Sequence, residues 1–344
     1  MGTAAVMLVS TRNLVADPET MYFYIPLFSN SSTIANTAYT TFFSSFLALE
    51  LFVIFIGTVI NGSMMVALYH SSLIHPNLKA IWVAHLVEYF IFAVGQTALV
   101  CHQVGLFPTT GDIHWDFWIV MAGTAKLHFM WATLLVQTVT IIERCIATIY
   151  IKNYEMIHNR SIAAFLGTFK SLAAFLISLS ISLIIVRYTL AAVLVFAIVI
   201  STTMLYIVLL AYNRHLLAST SLNMYTLSSK YQVTENIRIL TLVRNVFVLI
   251  MTAVLLVTVV MGILRVLEQN QMLPFAAVMA DMIIAGFPLE VYVISVWDNR
   301  SRGRLTQEER KIDPALIYAR ESLIYFKQLN NSWSKRGATS SLKR

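Results

Sequence analysis

The sequence predicts an all-α integral membrane protein, a bundle of seven transmembrane helices with its N-terminus outside the cell and its C-terminus inside. Three observations carry this expectation. The 344 residues are 58% hydrophobic and only 12% charged, against about 25% charged in a typical soluble domain. Seven apolar runs, 42–69, 80–101, 117–142, 162–186, 189–212, 240–264 and 273–296, each meet the roughly 20 residues that a membrane span requires. Lys and Arg are distributed unequally between the two sets of connecting segments.

Lipid cannot satisfy backbone amides, so each run must close its hydrogen bonds within a helix. In the first run, Glu50, Gly57 and Asn61 share one face at 100° per residue. The second, following His75-Pro76, carries His85 and Glu88 at i and i+3 in its inner half, and Gln96 further out. In the third, Lys126, Met130, Thr133, Gln137, Thr140 and Arg144 fall within about 40° of one line, a polar stripe from the outer half of the membrane to the cytosol. His128 lies off that stripe and is expected to pack against a neighbouring helix. The fourth run holds one charge, Lys170, whose stem is long enough to snorkel toward the cytosol. Only a few residues separate it from the fifth. Before the sixth, Ser229 and Gln232 form a capping box that starts a helix below the membrane. The seventh places Asp281 and Glu290 about 180° apart, so the two cannot face one cavity, and Trp297 follows as an interfacial anchor.

A transmembrane barrel is excluded, because its strands would alternate in segments of about 10 residues. Residues 1–41, an extracellular segment, and 297–344, a basic cytoplasmic tail, are too short for a second sizeable core. The sequence MGTAAVMLVSTRNLV lacks the charged start of a cleaved leader, and neither end carries a lipidation motif. Insertion is expected to begin at the first span.

With the N-terminus outside, the outer segments hold Arg12, Arg187 and Arg265, while the inner loops hold Lys79, Arg144, Lys152, Arg160, Arg214, Lys230, Arg238 and Arg244. The tail adds further basic residues. This bias fixes the orientation, and the formal charge of +7 becomes a property of the cytosolic face that suits anionic lipid or an acidic partner. Nucleic acid is not implied. The sequon at Asn30 is then an exposed glycosylation acceptor, whereas the one at Asn61 lies within a span. Cys101 and Cys145 lie at opposite ends of their spans and cannot bridge.

At the inner end of the third span the chain reads Glu143-Arg144-Cys145-Ile146-Ala147-Thr148, then Tyr150-Ile151-Lys152-Asn153-Tyr154-Glu155. A second motif starts at Tyr212-Asn213 and continues from Tyr225 through Ser229, Gln232, Glu235 and Asn236 to Arg238. Together they resemble the signatures of the nematode serpentine receptor class epsilon (Sre) family, with weaker agreement at Tyr24-Ile25-Pro26-Leu27-Phe28 and His75-Pro76-Asn77-Leu78. Pro76 and Cys145 depart from the family pattern, which favours a polar residue and an aromatic there. The resemblance implies a G-protein-coupled chemosensory receptor in the plasma membrane, at the sensory cilia of chemosensory neurons. Its partners would be a small-molecule ligand, a heterotrimeric G protein and the bilayer, with pairing to a second receptor left open. It further implies that Glu143, Arg144, Tyr154, Glu155, Gln232, Glu235, Asn236 and Arg238 serve activation and coupling. The rhodopsin-like outer disulfide is missing.

Polar groups retained in lipid usually face one another or the bundle interior. Lys126 is therefore expected to pair with Asp281 or Glu50 at the floor of an outward-opening cavity, with Gln96, Thr133 and Gln137 offering hydrogen bonds to a ligand. The alternative is a structural ion pair. Adjacent Glu143 and Arg144 do not stack on a helix, so Arg144 is expected to reach Glu235 as a latch. An enzyme is not expected, since HExxH, GxSxG and phosphate-loop motifs are missing; no cofactor or metal is implied. The rival function is an ion-coupled carrier using Glu50, Lys126 and Asp281, although the internal repeats of many carriers are not visible.

Overall fold

The computed structural model describes residues 40–70, 75–107, 113–150, 160–182, 188–219, 233–234, 236–241, 243–249, 252–253, 256 and 273–292. All of them belong to one compact unit, Met1–Tyr292. Their regular elements are helices: α1 (Thr40–His70), α2 (Pro76–Gln103), α3 (Ile113–Ile149), α4 (Arg160–Ser182), α5 (Tyr188–Ser219) and α6 (Leu273–Ala285). Helical turns also cover 236–241 and 243–249, in and just before the sixth apolar run. Five helices contain stretches long and apolar enough to cross a membrane, at Phe43–His70, Pro76–Gln103, Phe117–Ile149, Ser161–Ser182 and Val193–Ala218.

The ends of α2 show how sequence sets these boundaries. Pro76 occupies the first helical position, where its missing N–H costs nothing, and the His75 ring accepts from the Asn77 N–H at 3.3 Å. The departure from the family pattern at Pro76 is thus a helix start. At the other end Gly105 takes a positive φ of 83°. Its N–H donates to His102 O, and the Leu106 N–H to Cys101 O, a Schellman closure that favours glycine.

α3 is the centre of the bundle and packs on α2, α4 and α5, while α1 packs on α2 and α6. Of the apolar window in α3, 61% is buried, against 17% in α5. The outer face of α5 accordingly presents Val193, Phe196, Ile200, Met204 and Val208 outward, as lipid-facing residues should be. Hydroxyls in the spans close on their own helix, as Thr58 does on Ile54 O and Thr124 on Val120 O, leaving those groups satisfied without water.

Two glycines set the helix spacing. A Cβ on Gly57 would lie 2.1 Å from the Tyr89 hydroxyl and 2.6 Å from Ala285 O, so α1 reaches α2 and α6 only because that side chain is absent. The Tyr89 hydroxyl donates to Ala285 O at 2.8 Å and ties α2 to α6. At Gly95 a Cβ would meet Ala122 O at 3.0 Å, where α2 crosses α3. Inside this junction Tyr89, Phe92, Phe129 and Phe287 form an aromatic core, with Phe92 and Phe129 5.0 Å apart between centroids.

Candidate functional site

Three buried polar clusters are strung along the bundle, and α3 contributes to each. In the outer half, the Lys126 ammonium on α3 lies 2.6 Å from Asp281 Oδ1 and 2.7 Å from Oδ2 on α6. Of the two expected carboxylates, Asp281 is therefore the one that holds Lys126. Gln96 on α2 donates its amide N–H groups to Glu50 Oε1 on α1 at 2.6 Å and to Asp281 Oδ2 at 3.0 Å. Glu50, Gln96, Lys126 and Asp281 are all buried, at 0%, 1%, 5% and 4% exposure. Four helices thus converge on two carboxylates, one ammonium and one amide. Thr133 bonds Phe129 O in its own helix. The Gln137 amide is buried and makes no hydrogen bond among the described residues.

The second cluster lies near the middle of α2 and α4 and was not legible as a unit. Lys170 is fully buried, and its ammonium donates to Glu88 Oε2 at 2.5 Å. The expected snorkelling to the cytosol does not occur, because a carboxylate within reach across the helix interface offers the charge better solvation than a strained path to water. Ser171 donates to Glu88 Oε1. His85 Nδ1 stands 3.1 Å from Glu88 Oε2, and His128 Nε2 stands 3.6 Å from Glu88 Oε1. The His85 ring stacks on Phe129 at 5.3 Å. His128 does face neighbouring helices, with Phe175 on α4 beside it.

At the inner end, Arg144 grips its neighbour. Its Nε donates to Glu143 Oε2 at 2.5 Å and its Nη2 to Oε1 at 2.7 Å. Adjacent positions were not expected to meet, since they diverge by 100° around a helix. Both side chains are long enough to curl over the same turn, and with each only 1% exposed the bidentate pair is the arrangement that leaves neither charge bare. Arg144 Nη1 then donates to Asn236 Oδ1 at 2.9 Å. Asn236 donates to Thr148 Oγ1 at 3.2 Å, and so does Asn213 on α5 at 3.1 Å. The two sequence motifs, far apart in the chain, therefore meet at one network joining α3, α5 and the helical turn at 236–241. In the sequence Thr148 and Asn213 stand only as letters of the two motifs; their contacts require knowing which helices are neighbours.

Arg238 is exposed. Asn30, Tyr154, Glu155, Gln232 and Glu235 lie outside the described residues, as does the tail from 297. The expected partner of Arg144, Glu235, is among them; the bonds described for Arg144 go to Glu143 and Asn236. The departure at Cys145 puts a free thiol against the apolar cluster of Ile141, Tyr206, Leu209 and Leu240.

Among the described residues, five helices long and apolar enough to cross a membrane, with buried charged clusters around a central third helix, mark a multi-pass integral membrane protein. Residues 16–334 match the family model of the Sre G protein-coupled chemoreceptor, and the chain belongs to that family. It is similar to serpentine receptor class epsilon-26 of Caenorhabditis elegans, at 24% identity over 92% of this chain and 97% of that one. Class epsilon-2 of the same organism is 22% identical over 76% of this chain and 82% of its own. With class epsilon-1 the identity is 25%, over 50% of this chain and 51% of that relative, so there the match spans about half its length.

Proposed function

We propose that this chain is a chemosensory receptor that takes an external small molecule at the outer-half cluster of Glu50, Gln96, Lys126 and Asp281 and signals at its cytosolic end through a heterotrimeric G protein. The observation that carries the reading is the placement of two buried networks on one helix. Lys126 and Arg144 are 18 residues apart on α3, about 27 Å along its axis. A ligand that moves α3 against α1 and α6 at one end shifts the network of Arg144, Asn236, Thr148 and Asn213 at the other. Ligand binding then acts as a change in the populations of two packings. The Arg144 network favours the resting one through hydrogen bonds between helices, one of them charge-assisted from the Arg144 guanidinium.

Orientation follows the charge bias, with the N-terminus outside, Asn30 as glycosylation acceptor and the tail at the inner leaflet. Sensory cilia are the proposed site of action. Thr133 and Gln137, below Lys126 on the same stripe, extend the ligand-facing surface inward. Tyr154, Glu155, Gln232, Glu235 and Arg238 supply the G-protein face.

The test is expression in a cell with a calcium or cAMP readout, challenged with a broad panel of volatile and water-soluble metabolites, alongside epitopes at both termini. The proposal expects a saturable response to some members of the panel and staining of the C-terminal epitope only after permeabilisation. C-terminal staining on intact cells would overturn it. Solute flux into liposomes in the absence of any G-protein response would favour the carrier instead.

A further inference from the structure

The outer cluster is unbalanced in charge and in hydrogen bonding, and both imbalances have the same sign. Glu50 and Asp281 supply two carboxylates to a site where Lys126 is the nearby cation, and the ammonium sits on both oxygens of Asp281. Glu50 is left with a single described bond, from the Gln96 amide to its Oε1. Its other oxygen, Oε2, is buried and has no hydrogen-bond partner among the described residues. The same holds for Gln96 Oε1.

The orientation of the Gln96 amide is fixed by its neighbours. Turning it over would point the carbonyl oxygen at two carboxylates, so the nitrogen must face them and the oxygen must look away. Two acceptors on two fully buried side chains therefore lack a donor among the described residues, and one of them belongs to the carboxyl that has no cation of its own. A buried acceptor without a partner is costly, and a buried unpaired carboxylate more so. A group that brings both a positive charge and several N–H donors corrects both faults together.

We infer that this site takes a protonated amine, and that the external ligand is an organic ammonium whose nitrogen binds Glu50 Oε2 and Gln96 Oε1. The inference rests on the receptor reading for its biological meaning but not for its chemistry. Lys126 does not repel such a ligand strongly, because Asp281 already neutralises it. Glu50 is completely buried in the resting bundle, so the ammonium reaches it only as α1 parts from α2 and α6. Binding is thereby coupled to movement at the helix seam built on Gly57.

The experiment uses the full chain in lipid nanodiscs with ethylammonium chloride as probe, and sodium chloride and tetramethylammonium chloride, a cation without N–H donors, at matched ionic strength as comparisons. Two quantities are read on the wild type: the melting temperature, and the rate at which dicyclohexylcarbodiimide labels Glu50, followed by mass spectrometry of the peptide that contains it. That reagent attacks protonated carboxyls, the form in which a buried carboxyl without a counter-charge rests, so a cation that holds Glu50 ionised slows it. The expected result is a saturable rise in melting temperature with ethylammonium and at least a fivefold slowing of labelling. Glu50→Gln removes the thermal response. The labelling arm on wild type stands by itself if that variant fails to fold.

Protection by sodium alone, no protection by either cation, or an equal thermal response in Glu50→Gln would overturn the proposal. Its fate is separable from that of the receptor reading. A neutral or anionic agonist that drives G-protein signalling without displacing ethylammonium would sink the amine while leaving the receptor. Ethylammonium binding in a protein that never activates a G protein would do the reverse.

Discussion

The two ends of α3 hold polar networks of opposite design. Around Lys126 the partners are full charges contributed by separate helices, two carboxylates to one ammonium, with acceptors left over. Around Arg144 the described ionic partner is the adjacent residue of the same helix, and the described bonds that cross to other helices run through the side chains of Asn236, Thr148 and Asn213. Breaking the outer set bares a charge in a low-dielectric interior, whereas breaking the inner crossing bonds leaves the Glu143–Arg144 pair intact. The outer end is therefore built to demand a counter-charge.

The largest effect should come from attacking the outer set on one side only. Lys126→Met strands two buried carboxylates and is expected to cost about 3–5 kcal/mol, seen as a fall in melting temperature and in surface expression. Because that loss would mask any effect on ligand response, the informative partner is Lys126→Met with Asp281→Asn, which should regain most of the stability. If the single variant melts like wild type, the ammonium is not holding the cluster.

Between the two ends, Glu88 offers a balanced control. Glu88→Gln leaves the Lys170 ammonium buried without its anion and should cost about 3 kcal/mol. Adding Lys170→Met should restore it, as the pair is one charge to one. Failure of the second change to rescue would show that His85 and His128, rather than Lys170, carry the interaction.

The seam that brings Glu50 onto Gln96 is smaller in scale. Gly57→Ala places a methyl against the Tyr89 hydroxyl and Ala285 O and should destabilise by about 1–3 kcal/mol. Tyr89→Phe in that background should relieve part of it. Gly62→Ala has nothing within 4 Å of the new carbon, so it should be neutral or stabilising by up to about 1 kcal/mol, as Ala is a better helix former. Equal melting temperatures for the Gly57 and Gly62 variants would remove the seam from the account.

The smallest stability change belongs to the inner end. Asn236→Ala deletes two described bonds of the helical turn at 236–241, from the Arg144 guanidinium and to Thr148, and is expected to weaken the closed packing by at least about 1 kcal/mol. In a two-state bundle that is roughly a fivefold shift in populations, so basal G-protein output should rise about fivefold at unchanged surface level. A fall or no change would mean that these bonds do not favour the resting state.

Much of this was legible in the sequence where one helix suffices. The apolar runs marked α1 to α5, and the 100° arithmetic put Lys126, Thr133, Gln137 and Arg144 on one stripe. Depth along the spans then brought Glu50 and Asp281 to the level of Lys126. What failed needed the rotation and spacing of two helices together. On its own span Lys170 reads only as a cation whose stem is long enough to snorkel toward the cytosol, and the carboxylate that holds it stands on α2. Asn213 and Thr148 are weak helix formers in apolar surroundings, with no signal of their own beyond the motifs that contain them. Arg144 with Glu143 failed for a different reason: the i,i+1 rule describes Cβ directions, and two long side chains excluded from water can override it.

The central claim is that a chemical bound in the outer half changes the state of the cytosolic end. The most direct measurement is GTP-for-GDP exchange on a purified heterotrimer, catalysed by the full chain in nanodiscs, with and without an agonist found by cell screening. Exchange should accelerate several-fold with agonist in the wild type and lose that increment in Glu50→Gln, while Asn236→Ala should be fast without agonist. An exchange rate that ignores the agonist in a receptor shown to bind it would contradict the account.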